Sequence, residues 1–127
     1  MQMSEVTNAN DSILTSIKKI LGIPEEHEHF DADIIMHINT VFMILNQLGV
    51  GPASGFKILD KTTMWDDYLK NDSQLEAVKS YMGYKVRLMF DPPSSSAITE
   101  SINHVVSELE WRILVMAESK NSREEES

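Results

Sequence analysis

The strongest constraint in this sequence is a period: apolar residues return every three or four positions, in blocks that end at glycine and proline. Between Asp31 and Gly49 the residues Ile34, Ile35, Ile38, Val41, Phe42, Leu45 and Leu48 form a stripe. At 100° per residue that stripe is about 140° wide, which is the core-facing side of an amphipathic helix. Phe30 before it and Ile35 inside it match a hydrophobic staple, with Asp31 as the cap between them. Met36, Met43 and Ile44 fall off the stripe. Packing against a flanking segment is the first expectation for these three, and a subunit interface the second.

The same period places the other helices. Ile13, Leu14, Ile17, Ile20 and Leu21 share one face of a first helix, opened by Asp11 or Ser12 and closed by Gly22 and Pro24. Val50 to Lys61 has no helical period and reads as a long structured loop; Phe56, Ile58 and Leu59 are at most a short extended piece, which cannot make a sheet alone. A short helix is expected near Met64 to Leu69, capped by Thr62 or Thr63. Ser73 and Glu76 then give the spacing of a capping box for a fourth long element, which ends at Asp91-Pro92-Pro93. Its apolar residues occupy two faces. Leu75, Val78, Met82, Val86, Met89 and Phe90 make one, and Ala77, Tyr81, Tyr84 and Leu88 the other, which marks the centre of a bundle. Gly83 in its middle costs ~1 kcal/mol against alanine, so a close approach is expected there. Ser94 to Ser96 offer caps for the last helix, whose stripe is Ile98, Ile102, Val105, Val106, Leu109, Ile113 and Met116. The fold class is therefore all-α, a compact bundle of four to five helices with a long loop between helices two and three. Residues 1–11 read as a flexible N-terminal arm, 12–117 as the helical domain and 118–127 as a disordered acidic tail.

Length and charge limit the function classes. The 127 residues suffice for one domain with its own core. There is no cysteine, which removes disulfides, thiolate metal sites and cysteine nucleophiles together. No apolar run approaches the ~20 residues that span a bilayer, and Met1 to Asp11 lacks the pattern of a signal peptide. A soluble cytoplasmic chain with no membrane contact is expected. The net charge of −9 argues against tight nucleic-acid binding, because the lysines and arginines are scattered among acids.

Catalytic patterns are missing. His27, Glu28 and His29, with Asp31, Asp33 and His37 nearby, attract attention as metal ligands. His27 and His29 are two apart before the helix begins, not four apart on it, and acids in a first helical turn are explained by the helix dipole. Glu100 and His104 read as a solvated pair. No nucleophile elbow, phosphate loop or dinucleotide fingerprint occurs, so no enzyme, metal or cofactor is expected. One surface feature points to a partner instead. Trp111 lies opposite the core stripe of the last helix, with Leu114 and Val115 not far round, as partner-binding anchors do. The competing reading packs Trp111 on a neighbouring helix or on the loop of residues 50–61.

A series of phrases in order carries the reading further: Leu21-Gly22-Ile23-Pro24, Phe30-Asp31, Asn46-Gln47-Leu48-Gly49-Val50-Gly51 and Trp65-Asp66-Asp67-Tyr68-Leu69. They continue with Tyr84-Lys85-Val86-Arg87-Leu88-Met89-Phe90-Asp91-Pro92-Pro93 and Glu108-Leu109-Glu110-Trp111-Arg112. Over residues 12–116 the chain resembles the small head–tail connector, or adaptor, proteins of long-tailed double-stranded DNA bacteriophages, some of which are described as DNA-packaging proteins. The resemblance implies a structural virion protein of the head–tail interface, assembled in the host cytoplasm. It implies a ring, generally of twelve copies, that docks beneath the portal protein, extends the DNA channel and seats the tail or the next head-completion protein. Packaged DNA would pass through without specific binding. In related adaptors the C-terminal helix and tail engage the portal, which would put Trp111, Leu114 and Val115 on the portal-facing surface; the second apolar sides of helices two and four would suit the contacts of a ring. The main alternative is an acidic helical interaction module or regulator. A DNA mimic would align its carboxylates on one face, and a helix-turn-helix reader would need a basic second helix, which here has Asp33 and His37 but no lysine or arginine.

Overall fold

The structure, a computed structural model, describes residues 12–70 and 73–126, with side chains to residue 120. The expected arm and the alternative cap at Asp11 lie outside the described residues. Among the described residues there are five helices and no strand: α1 (Ile13–Leu21), α2 (Asp31–Gln47), α3 (Trp65–Tyr68), α4 (Ser73–Phe90) and α5 (Ser96–Glu126). The molecule is all-α.

Local chemistry sets the helix ends. Ser12 caps α1, its Oγ accepting from the Thr15 N–H at 3.2 Å. Gly22 ends α1 at φ 79°, a conformation that costs a side-chain-bearing residue energy and glycine almost none. α2 differs from the expected cap. Phe30 occupies the cap position without a side-chain bond and Asp31 is already helical. The Asp31 carboxylate turns to the ammonium of Lys18, 2.8 Å away, and the Phe30 ring meets Phe90 edge-on at 5.4 Å. α3 is capped by neither Thr62 nor Thr63; the Asp67 carboxylate reaches back to the Met64 N–H at 2.8 Å.

α4 is the central helix, packed by α1, α2 and α5. Its two apolar faces account for this: Leu75, Val78 and Met82 are buried on one, Tyr81 on the other. At Gly83 a methyl group would stand 3.0 Å from the Ile20 side chain, so α1 does approach closely there.

The loop between α2 and α3 is held at several points. The Asn39 amide donates to the Ile58 carbonyl (3.0 Å) and accepts from the Ile58 N–H (2.8 Å), so one side chain satisfies both main-chain groups of a buried residue. Further on, the Ser12 hydroxyl donates to the Lys61 carbonyl (2.8 Å), the Ile13 N–H to Thr63 (3.1 Å) and the Trp65 indole to Ser16 (2.9 Å). Phe42, Phe56 and Tyr68 close the space beneath with ring centroids 4.6–5.1 Å apart.

α5 departs from expectation twice. Of the described side chains of this helix only Val106, Ile113 and Ala117 are buried, while Ile98 and Val105 of the expected stripe are exposed. Its packing is chiefly against α4, and one neighbour covers a narrower strip than the sequence pattern offers. The helix also continues to Glu126, where composition suggested a disordered tail. No glycine or proline follows Pro93, so nothing in the chain stops it.

A candidate assembly surface

The Tyr81 hydroxyl donates to the Glu110 carboxylate at 2.5 Å, which fixes how α5 lies on α4. Burial pushes the Tyr81 phenol well above its usual range, and the Glu110 carboxylate adds to that by accepting its hydrogen bond and by its negative charge. With Glu110 turned to α4, helical geometry carries Trp111 to the outside. Trp111 is 63% exposed, so it packs on neither a neighbouring helix nor the loop. Val115, one turn on, is also exposed, and Leu114 is half-buried between that face and the core side. Beside them Arg112 pairs with Glu108 at 2.9 Å, which holds the Glu108 carboxyl below its usual range.

Met36 and Met43 are each 58% exposed, which removes the expectation that they pack against a flanking segment. Ile44 alone of that group leans on the core. Seven positions apart, the two methionines share the outer side of α2. They are not joined to Trp111 in one patch, because α2 and α5 each pack on α4 and not substantially on each other. The structure thus leaves two separate apolar surfaces free.

A third feature was not evident in the sequence. Phe30, Phe90, His37 and Met36 line an open groove with Asp33 and Asp91 also in its lining. Its rings are edge-on to one another: Phe30 to Phe90 at 5.4 Å and His37 to Phe90 at 6.4 Å. The only signal for it was Phe30 and Phe90 standing at helix ends, and nothing in a sequence says that those ends meet.

The histidine and acid cluster does not assemble. Among the described residues no three histidine, aspartate or glutamate side chains converge as metal ligands. Asp31 is taken by Lys18, while His29 lies against Phe30 at 4.8 Å. Among the described residues no helix is long and apolar enough to cross a membrane.

A family model described as phage connector protein matches residues 13–120. No curated protein and no solved structure matches the chain. The matched span begins at the first residue of α1 and takes in the pinned loop, central α4 and the Trp111 face of α5. The chain belongs to the phage connector protein family.

Proposed function

We propose that this connector works as a head–tail adaptor, assembling into a ring, of twelve copies by the resemblance, beneath the portal protein. The ring extends the DNA channel and seats the tail or the next completion protein. The observation that carries the reading is the family match across the whole helical bundle. Members of such a family are structural parts of the virion that bind other head or tail proteins, and the exposed Trp111 face suits that work. We assign Trp111, Leu114 and Val115 to the portal and the outer side of α2, with Met36 and Met43, to neighbouring copies. An aromatic anchor flanked by aliphatics supplies binding energy when it is desolvated. In a ring the α2 side of one copy meets a different face of the next. The net charge of −9 fits a channel that repels phosphates and lets the duplex slide.

Native mass spectrometry of the chain, alone and with the portal protein of the same genome, tests the reading. A ring or a portal complex of defined copy number is expected. A chain that stays monomeric and ignores the portal would move the function to an acidic helical interaction module.

A further inference from the structure

The loop between α2 and α3 ends in an apolar tip with two positive neighbours. Leu59 is 77% exposed, more than any other large apolar side chain described. Lys57 and Lys61 flank it, both exposed and neither in an ion pair. The nearest carboxylate in sequence, Asp60, is engaged by the N–H of Thr62 at 2.9 Å. The tip does not collapse onto its own subunit, because Ile58 beside it is buried and clamped by Asn39.

The groove of Phe30, Met36, His37 and Phe90 has the opposite character. It is a largely apolar recess of about 580 Å³ with two carboxylates, Asp33 and Asp91, in its lining. Neither carboxylate is in an ion pair, and Arg87 nearby is occupied with the main-chain carbonyl of Asp91 at 3.1 Å. A recess of this sign suits an aliphatic side chain flanked by ammonium groups, and its size leaves room for the loop tip around that side chain.

Tip and groove meet α2 on different sides. At 100° per residue Asn39, which holds the loop, stands about 60° from Met36, about 120° from Asp33 and about 160° from His37, the α2 residues that line the groove. A plug on one flank and a socket on the other make a heterologous contact, in which each copy engages two neighbours.

We infer that Leu59 of one copy inserts into the Phe30, Met36 and Phe90 groove of the next, with Lys57 and Lys61 meeting Asp33 and Asp91. This rests on the ring reading and names the contact that closes it.

The chain has no cysteine, so every disulfide between copies of it runs through the engineered positions. Leu59→Cys and Met36→Cys proteins, mixed with the portal protein and oxidised, are expected to give a mixed dimer. Its yield should exceed at least tenfold that of Leu59→Cys with Met43→Cys, equally exposed on the same side of α2 but outside the groove lining. The double variant L59C/M36C should give a ladder of covalent multimers. Lys57→Glu with Lys61→Glu should lower ring yield at least tenfold, and Asp33→Lys with Asp91→Lys on the same chain should restore it. Rings seen by native mass spectrometry whose disulfides favour Met43 overturn the contact and leave the ring reading intact. A portal segment trapped at Met36→Cys gives the groove to another partner and also overturns it. If the unsubstituted chain forms no ring with the portal, the ring reading fails and the contact fails with it.

Discussion

The ammonium of Lys18 lies 2.8 Å from the carboxylate of Asp31, and this pair joins the end of α1 to the start of α2. Lys18 is 2% exposed and donates also to the carbonyls of Glu25 (2.9 Å) and His27 (2.6 Å). A buried ammonium needs both hydrogen-bond acceptors and a counter-charge; here the two carbonyls accept its N–H groups and the Asp31 carboxylate supplies the charge. The pair holds the loop that presents Phe30, and so shapes one wall of the groove.

Lys18→Met would leave two carbonyls without their donor and a carboxylate without its counter-charge. The expected cost is about 2–4 kcal/mol, the lower part of the range for a broken buried pair because Asp31 keeps some solvent. Asp31→Asn keeps a polar group there but leaves the buried ammonium its two carbonyls without a counter-charge, and should cost about 1–3 kcal/mol. Urea denaturation of both variants compares them, and a loss for Asp31→Asn as large as for Lys18→Met would mean that the charge pair, more than the bonds to the carbonyls, organises the loop.

The loop between α2 and α3 offers a sharper comparison. Gly51 and Gly55 both have positive φ, 88° and 96°, but a methyl group at Gly51 would stand 2.5 Å from the Tyr68 ring, and at Gly55 it would meet nothing. Gly55→Ala should cost about 1 kcal/mol, the backbone strain alone. Gly51→Ala should cost about 1–3 kcal/mol more as Tyr68 is displaced from Phe42 and Phe56. Thermal melts separate the two, and near-ultraviolet dichroism should change for Gly51→Ala alone.

Burial raises the pKa of Tyr81, with Glu110 adding to it, and burial alone raises that of Tyr68. The unfolded phenols titrate near pH 10. Above that pH the unfolded chain has released protons that the folded chain still holds, so stability falls as pH rises. Stability from this source is complete below about pH 10 and is lost above it. Tyr81→Phe should cost about 1–2 kcal/mol at pH 7, the hydrogen bond to Glu110. It should also flatten the alkaline decline measured by urea titration between pH 9 and about pH 11.

The helices were legible because their apolar periods are local: α1, α2 and α4 stand where Ile13–Leu21, the Ile34 stripe and the two faces of Leu75–Phe90 put them. What escaped depends on partners distant in sequence. A lysine reads as a surface residue, and only the fold brings Asp31, Glu25 and His27 to Lys18. The Asn39 clamp on Ile58 joins residues nineteen apart by one amide, which leaves no pattern in the chain. Exposure of Ile98 and Val105 was hidden for a related reason, since a stripe shows what a helix can bury and not how wide a neighbour it has. The candidate surfaces were legible in part. Trp111 and the methionines stood out as apolar residues off their stripes, whereas the Phe30 and Phe90 groove exists only where two helix ends meet.

The sharpest separation of fold from function comes from the two tryptophans. Trp65 is buried and bonded to Ser16, while Trp111 is 63% exposed and makes no ring contact. Trp111→Ala removes surface that the folded monomer does not use, so its stability should stay within about 0.5 kcal/mol of the parent. The emission that remains comes from Trp65 and reports whether the core is intact. If Trp111 seats in the portal, losing it removes a desolvated aromatic contact worth about 2 kcal/mol or more, roughly a thirtyfold loss of affinity. Calorimetric titration against the portal protein measures this directly. An unchanged affinity with an unchanged melt would take the α5 face out of the portal contact and leave the two flanks of α2 as the surfaces that do the binding.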